Sequence, residues 1–153
     1  MNISITGFIL FFLLLVTSYP IEAKERTPYG YWIYVEGKSY KNIHTLNEHN
    51  YEFGYVCNNG CMYYITPSVI CDTTKVIDGW LIQTSGVSKR IRTTCVKHEG
   101  ETILKINSEK DLTDLLEKNH EVHFLINFDV EINSLLTFNM LGFIDSYNRI
   151  NNQ

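Results

Sequence analysis

The sequence predicts a mainly β, α+β domain: an antiparallel β-sandwich or a partly open barrel, with one short capped helix and a second helix at its carboxyl end. Three observations predict it. Aromatic and β-branched residues alternate over short runs from residue 29 onward. Turn-forming clusters such as Asn58-Asn59-Gly60 and Thr84-Ser85-Gly86 punctuate those runs. Leucines recur at helical spacing at Leu112, Leu115 and Leu116, between two strand-like stretches.

The first residues stand apart from this pattern. From Gly7 to Val16 the chain is apolar and uncharged, about half the ~20 residues that a helix needs to cross a bilayer core. Such a run fits the hydrophobic region of a secretory signal peptide. Ala23 and Ser18 each offer a small residue at a cleavage point, so the expected division is a signal peptide over 1–23 and one β-rich, disulfide-stapled domain over 24–153. Without Glu22 that domain keeps 13 basic and 16 acidic side chains, a net charge near −3. A mildly acidic domain is a poor general ligand for nucleic acid. No later apolar run is long enough to insert stably in a membrane once the signal is removed.

The elements follow in order. Residues 29–35 (YGYWIYV) alternate as one strand. Residues 36–50 are polar and without a clean period, hence a turn and loop with room for one short strand. Residues 51–56 and 62–66 are the arms of a hairpin around Cys57-Asn58-Asn59-Gly60-Cys61, with Gly60 in the left-handed position that closes a three-residue turn. Pro67 ends the second arm, because it has no amide hydrogen for a ladder. Residues 75–83 and 90–96 are strands joined by the turn at 84–88, and 102–106 is another. Ser108 followed by Asp111 resembles a capping box opening a helix that ends near Asn119. Residues 121–130 return to alternation, residues 132–138 can pair back, and residues 141–150 form a terminal helix that sets Phe143, Ile144 and Tyr147 against the sheet.

Cys57, Cys61, Cys71 and Cys95 form an even set, which in an exported chain reads as disulfides. Three pairings exist. The hairpin favours Cys57 with Cys61, leaving Cys71 with Cys95, because the first two would face each other across the strands.

Catalytic chemistry finds little support. Cys57 and Cys61 lack histidine ligands nearby, and His44 and His49 would lie ~140° apart on a helix, so no metal site is assigned. His120 and His123 could each serve as a general base, but no nucleophile motif accompanies them. Asp129 and Glu131 read as a solvated strand edge. Lys89, Arg90, Arg92, Lys97 and His98 read as charges that keep a strand soluble. No catalytic, metal or cofactor-binding residue is therefore assigned, and no cofactor is expected.

The aromatic content is less ordinary, with 10 Tyr in the chain. Rings fall on both parities of the early strands, more than one inward face of a small sheet would hold. Tyr31, Trp32, Tyr34, Tyr55, Tyr63 and Tyr64 are thus the candidate binding surface, since exposed Tyr and Trp are good recognition material.

At the carboxyl end the order is strand, capped helix (NSEKDLTDLLEKN), strand (EVHFLINF), strand, then Leu-Gly-Phe opening a short helix (INSLLTFNMLGFIDSYNRI). This resembles the closing segment of the bacterial invasion-associated locus B family and its periplasmic relatives. Cys71 and Cys95, on either side of IDGWLIQTS, are similar in placement to that family's cysteines. The Tyr-rich amino-terminal stretch and the C-N-N-G-C turn lie outside the likeness. The resemblance implies an exported β-rich accessory protein linked to host association, with no catalytic residues to carry over. The expected function is accordingly an exported, non-enzymatic binding or accessory protein, periplasmic or at the surface, with a protein partner. Two alternatives are an inhibitor or immunity protein acting through the aromatic hairpin, and a small secreted hydrolase using His120 or His123.

Overall fold

The computed structural model describes residues 25–66, 71–73, 75–98, 100–107, 112–129 and 132–152. Ten strands form one antiparallel sheet: β1 (Glu25–Tyr29), β2 (Trp32–Glu36), β3 (Lys41–Leu46), β4 (Glu52–Cys57), β5 (Cys61–Ile65), β6 (Val76–Gln83), β7 (Ser88–His98), β8 (Glu101–Ile106), β9 (Glu121–Asp129) and β10 (Ile132–Asn139). Their spatial order is β1-β2-β3-β4-β5-β8-β7-β6-β9-β10. The first five strands are thus a plain meander. The next three are laid down in reverse order before β9 and β10 complete the sheet.

Alternation dictates which side chains meet. Trp32 and Tyr34 of β2, Ile43 of β3, Phe53 and Tyr55 of β4, Tyr63 and Ile65 of β5, and Phe124 and Ile126 of β9 all project to one face and are buried. The sheet rolls so that this face encloses a single core. Phe53 shows the result: its ring lies 5.6 Å from Trp32, 4.9 Å from Phe124 and 5.4 Å from Phe138, joining strands from both ends of the sheet. Each fully buried large ring of this kind stabilises the fold by roughly 3 kcal/mol or more.

The roll stops short of a closed barrel. No ladder joins β1 to β10 among the described residues. Two hydrogen bonds fasten the ends instead: the Tyr31 amide donates to the Leu141 carbonyl at 3.0 Å, and Trp32 Nε1–H donates to the Asn139 carbonyl at 3.1 Å. Helix α1 (Leu112–Glu117) buries Leu112 and Leu116. Helix α2 (Phe143–Asn151) packs against β1, β2 and β3 and buries Phe143 and Ile150. Gly142, the residue before α2, has φ 93° and passes so close to the first hairpin that a Cβ would lie 1.8 Å from the Tyr29 carbonyl oxygen.

Cys57 is bonded to Cys61 and Cys71 to Cys95. At the hairpin tip the left-handed residue nearest the ideal is Asn59, at φ 53°, whereas Gly60 sits at φ 145°. The Asn58 amide donates to the Gly60 carbonyl at 2.8 Å within the three-residue loop that the registered pair Cys57 and Cys61 flanks. One other expectation needs correction. The run 29–35 is not one strand: Gly30, at φ 59°, turns the chain between β1 and β2. Residues 36–50 do hold one short strand, β3, whose inward Ile43 and Thr45 alternate with polar Asn42 and His44. Pro67 and the Ser108–Asp111 start of the helix lie outside the described residues.

The aromatic surface also needs correction. Trp32 is 0% exposed, and Tyr34, Tyr55, Tyr63 and Tyr64 are buried as well; only Tyr31 reaches solvent. The physical reason is curvature: a rolled sheet surrounds its inner face on several sides, so it covers more rings than a flat one could.

Candidate binding surface

The outward face carries two features of interest, and both follow from register. Trp80 lies opposite Arg90 of β7 on one side and Leu125 of β9 on the other, and Leu125 lies opposite Leu135 of the edge strand β10. Four strands therefore line up Arg90, Trp80, Leu125 and Leu135 in one row. Trp80 is 41% and Leu135 58% exposed, Leu125 is half-buried, and Val76 is exposed on the same strand face as Trp80. An indole on a rigid sheet, flanked by aliphatic side chains, is the kind of anchor that interfaces use.

Polar groups frame this row. Arg90 Nη2 donates to Asp78 Oδ2 at 2.8 Å, and Arg92 Nε lies 3.6 Å from Asp78 Oδ1. The Arg90 hydrogen bond, helped by both guanidinium charges, holds the Asp78 carboxyl below its ordinary range. On the other flank His123 Nδ1 lies 2.8 Å from Thr137 Oγ1, and His123 Nε2 lies 3.4 Å from Glu121 Oε1. These are cross-strand neighbours, Thr137 opposite His123 in the ladder. The four best-formed cavities lie elsewhere. His120 is exposed, and its carbonyl accepts the Met140 amide.

The second feature lies on the outer side of β3, β4, β5 and β8. His44, Gly54, Tyr64 and Lys105 fall in one cross-strand row. Gly54 has no side chain to lift the neighbouring ring; a Cβ there would stand 2.6 Å from Tyr64 Cζ. Tyr64 consequently lies flat on the sheet. Its hydroxyl donates to the Glu52 carboxylate, and Asn42 Nδ2 donates to that hydroxyl at 3.0 Å. Burial, and then the Glu52 charge, push the Tyr64 phenol well above its usual range, so it keeps its proton. His44 Nδ1 is 3.5 Å from Asn42 Nδ2. Burial lowers the His44 pKa, and Arg26 adds to the effect while Glu52 opposes it.

The sequence-predicted residues are placed as follows. Trp32, Tyr34, Tyr55 and Tyr63 belong to the core, where the Tyr34 hydroxyl donates to Glu36 at 2.7 Å and the Tyr63 hydroxyl shares a hydrogen bond with Thr113 at 2.8 Å. Tyr64 faces outward but is covered, and Tyr31 stands exposed beside the fastening of the sheet ends. Sequence reasoning missed Trp80, Leu125 and Leu135. The available signal was Trp80 itself, whose position in KVIDGWLIQ has the opposite parity to Ile77 and Leu81. Asp129 and Glu131 give no side-chain geometry, being outside the residues so described. Among the described residues no group of three or more His, Cys, Asp or Glu side chains is placed to hold a metal ion, and no helix is long and apolar enough to cross a membrane.

No protein-family model matches the chain, and no curated protein matches it in sequence. Among solved structures, the crystal structure of invasion associated protein b from Bartonella henselae superposes with a TM-score of 0.60 at 18% identity, over 84% of this chain and 96% of that one. The likeness is one of fold.

Proposed function

We propose that the protein is an exported, non-enzymatic binding or accessory module, and that its docking face is the outward row of Trp80, Leu125 and Leu135. The observation that carries this reading is the exposure of an indole and an aliphatic neighbour in register across β6, β9 and β10. Rings that could have been spared for recognition elsewhere are in the core, which leaves Trp80 as the exposed tryptophan. The aromatic hairpin is no longer an attractive inhibitory wedge, because Tyr55 and Tyr63 are buried in the core and Tyr64 is covered on the outer face. The Bartonella protein of like fold is named for an association with invasion, and host association is the setting we carry over as part of this proposal. Residues 1–23 act as the export signal, so protein recovered outside the cytoplasm should begin near Lys24 or Tyr19.

The test is a comparison of captured partners. Tagged protein and the Trp80→Ser, Leu135→Ser double variant are used to recover proteins from the exported fraction and from host-cell extracts. The reading expects the variant to melt close to the parent yet lose a partner that the parent retains, since truncating an interface anchor costs ~2 kcal/mol or more. Identical partner sets for the two proteins would remove this face from consideration.

A further inference from the structure

The outer face of β4, β5 and β8 does not behave as a solvated sheet surface. Val56, Tyr64 and Ile103 all point outward, yet they are buried in a second apolar cluster with Tyr40, Met62 and Val96 packed against it. Beside this cluster opens a cavity of about 230 Å³. That is smaller than the usual ~300–1,000 Å³ of a drug-sized site and suits a single side-chain-sized group.

The chemistry of the walls is one-sided. Val56, Ile103 and the Tyr64 ring supply an apolar floor, and the Tyr40 ring lines the cavity too. Glu52 and Glu101 supply two carboxylates, while among the described residues no Lys or Arg lines the cavity, His98 being its basic-type side chain. Glu52 is oriented by its hydrogen bond from Tyr64, which in turn is held by Asn42. A neutral apolar guest would strip water from these carboxylates without replacing it. An anion would meet like charge. A cation on a short apolar stem satisfies both halves: its stem covers the floor, its charge meets the carboxylates, and a ring face adds cation–π attraction.

We propose that this cavity is a binding site for a guanidinium or primary ammonium group on a short aliphatic stem, presented either by a free organic cation or by a basic side chain of a polypeptide. The site is distinct from the face around Trp80 and does not depend on it.

The experiment titrates the purified protein with N-acetyl-arginine amide, with the neutral isostere N-acetyl-citrulline amide, and with the pentapeptide Ala-Ala-Arg-Ala-Ala, following backbone amide resonances. Saturable shifts centred on Asn42, Val56, Tyr64 and Ile103 are expected with the arginine probes, with at least tenfold weaker binding of citrulline. The Glu52→Gln, Glu101→Gln double variant should bind arginine at least tenfold more weakly. Should that variant fold poorly, Glu101→Gln alone, which leaves the Tyr64–Glu52 bond intact, is expected to weaken binding severalfold. Tighter binding of the pentapeptide than of capped arginine identifies a polypeptide source, and equal binding a free cation. Equal binding of citrulline and arginine, shifts that do not saturate or lie elsewhere, or folded Gln variants with parental affinity would overturn the proposal.

Discussion

Trp32 and Tyr31 are adjacent in the chain, but Trp32 opens β2 and is buried while Tyr31 lies in the turn before it. Trp32 contacts Phe53 and Phe143 and donates its indole hydrogen across to Asn139, whereas Tyr31 is 59% exposed. Trp32→Ala should therefore cost ~3–5 kcal/mol in denaturant unfolding, and Tyr31→Ala no more than ~0.5 kcal/mol. His44 gives a test in pH. Burial lowers its folded pKa below the ordinary histidine value of 6.5, so between those two values the unfolded chain binds the extra proton. Stability should then fall as pH drops below 6.5 and level off beneath the folded pKa, and His44→Gln should remove that component of the pH profile. The two parities of rings were legible in the sequence, but their fates were not. Composition cannot tell that a rolled sheet has room inside for Trp32, Tyr34, Tyr55 and Tyr63. Nor can it tell that Tyr64, though outward, is laid flat by the missing side chain at Gly54 and covered by Tyr40 and Met62.

Among the elements, strands with clean alternation were found where expected, as β6 and β9 show. Those whose polarity blurs the period were placed less sharply. β3 hides its inward Ile43 and Thr45 among Asn, His and Lys, and β1 carries Pro28 and charged residues at a sheet edge, where propensity says little. The order of strands was beyond reach, since β5 pairs on its far side with β8 rather than with β6, the next strand in sequence. The junction of β10 and α2 supplies the sharpest test at this scale. At Gly142 an added Cβ would overlap the Tyr29 carbonyl, and the backbone there is left-handed. Gly142→Ala should cost about 3 kcal/mol or more, through clash and strain together. Gly60→Ala is the matched control: φ is positive there too, but the space is open, so its unfolding free energy should fall by strain alone, ~1–2 kcal/mol.

For the whole molecule, the two disulfides act on different lengths of chain. Cys57–Cys61 spans a separation of 4 inside one hairpin, while Cys71–Cys95 spans 24 and ties the segment after β5 to β7. That second bond straddles the place where β5 meets β8 through only two registered pairs, Tyr64 with Lys105 and Ile65 with Leu104. On loop entropy alone, replacing both Cys71 and Cys95 by Ser should cost ~3.5 kcal/mol and replacing both Cys57 and Cys61 ~2 kcal/mol, an ordering that parallel denaturation curves would check. The fastening of the sheet ends has a consequence in time. Trp32 Nε1–H waits for a carbonyl 107 residues further along, and at synthesis rates of ~5–20 residues per second the amino-terminal meander spends roughly 5–20 s without it. During that interval the first hairpin has no finished core to join. A chain still lacking its last strand and helix is in the condition in which a polypeptide can be threaded through a translocation channel.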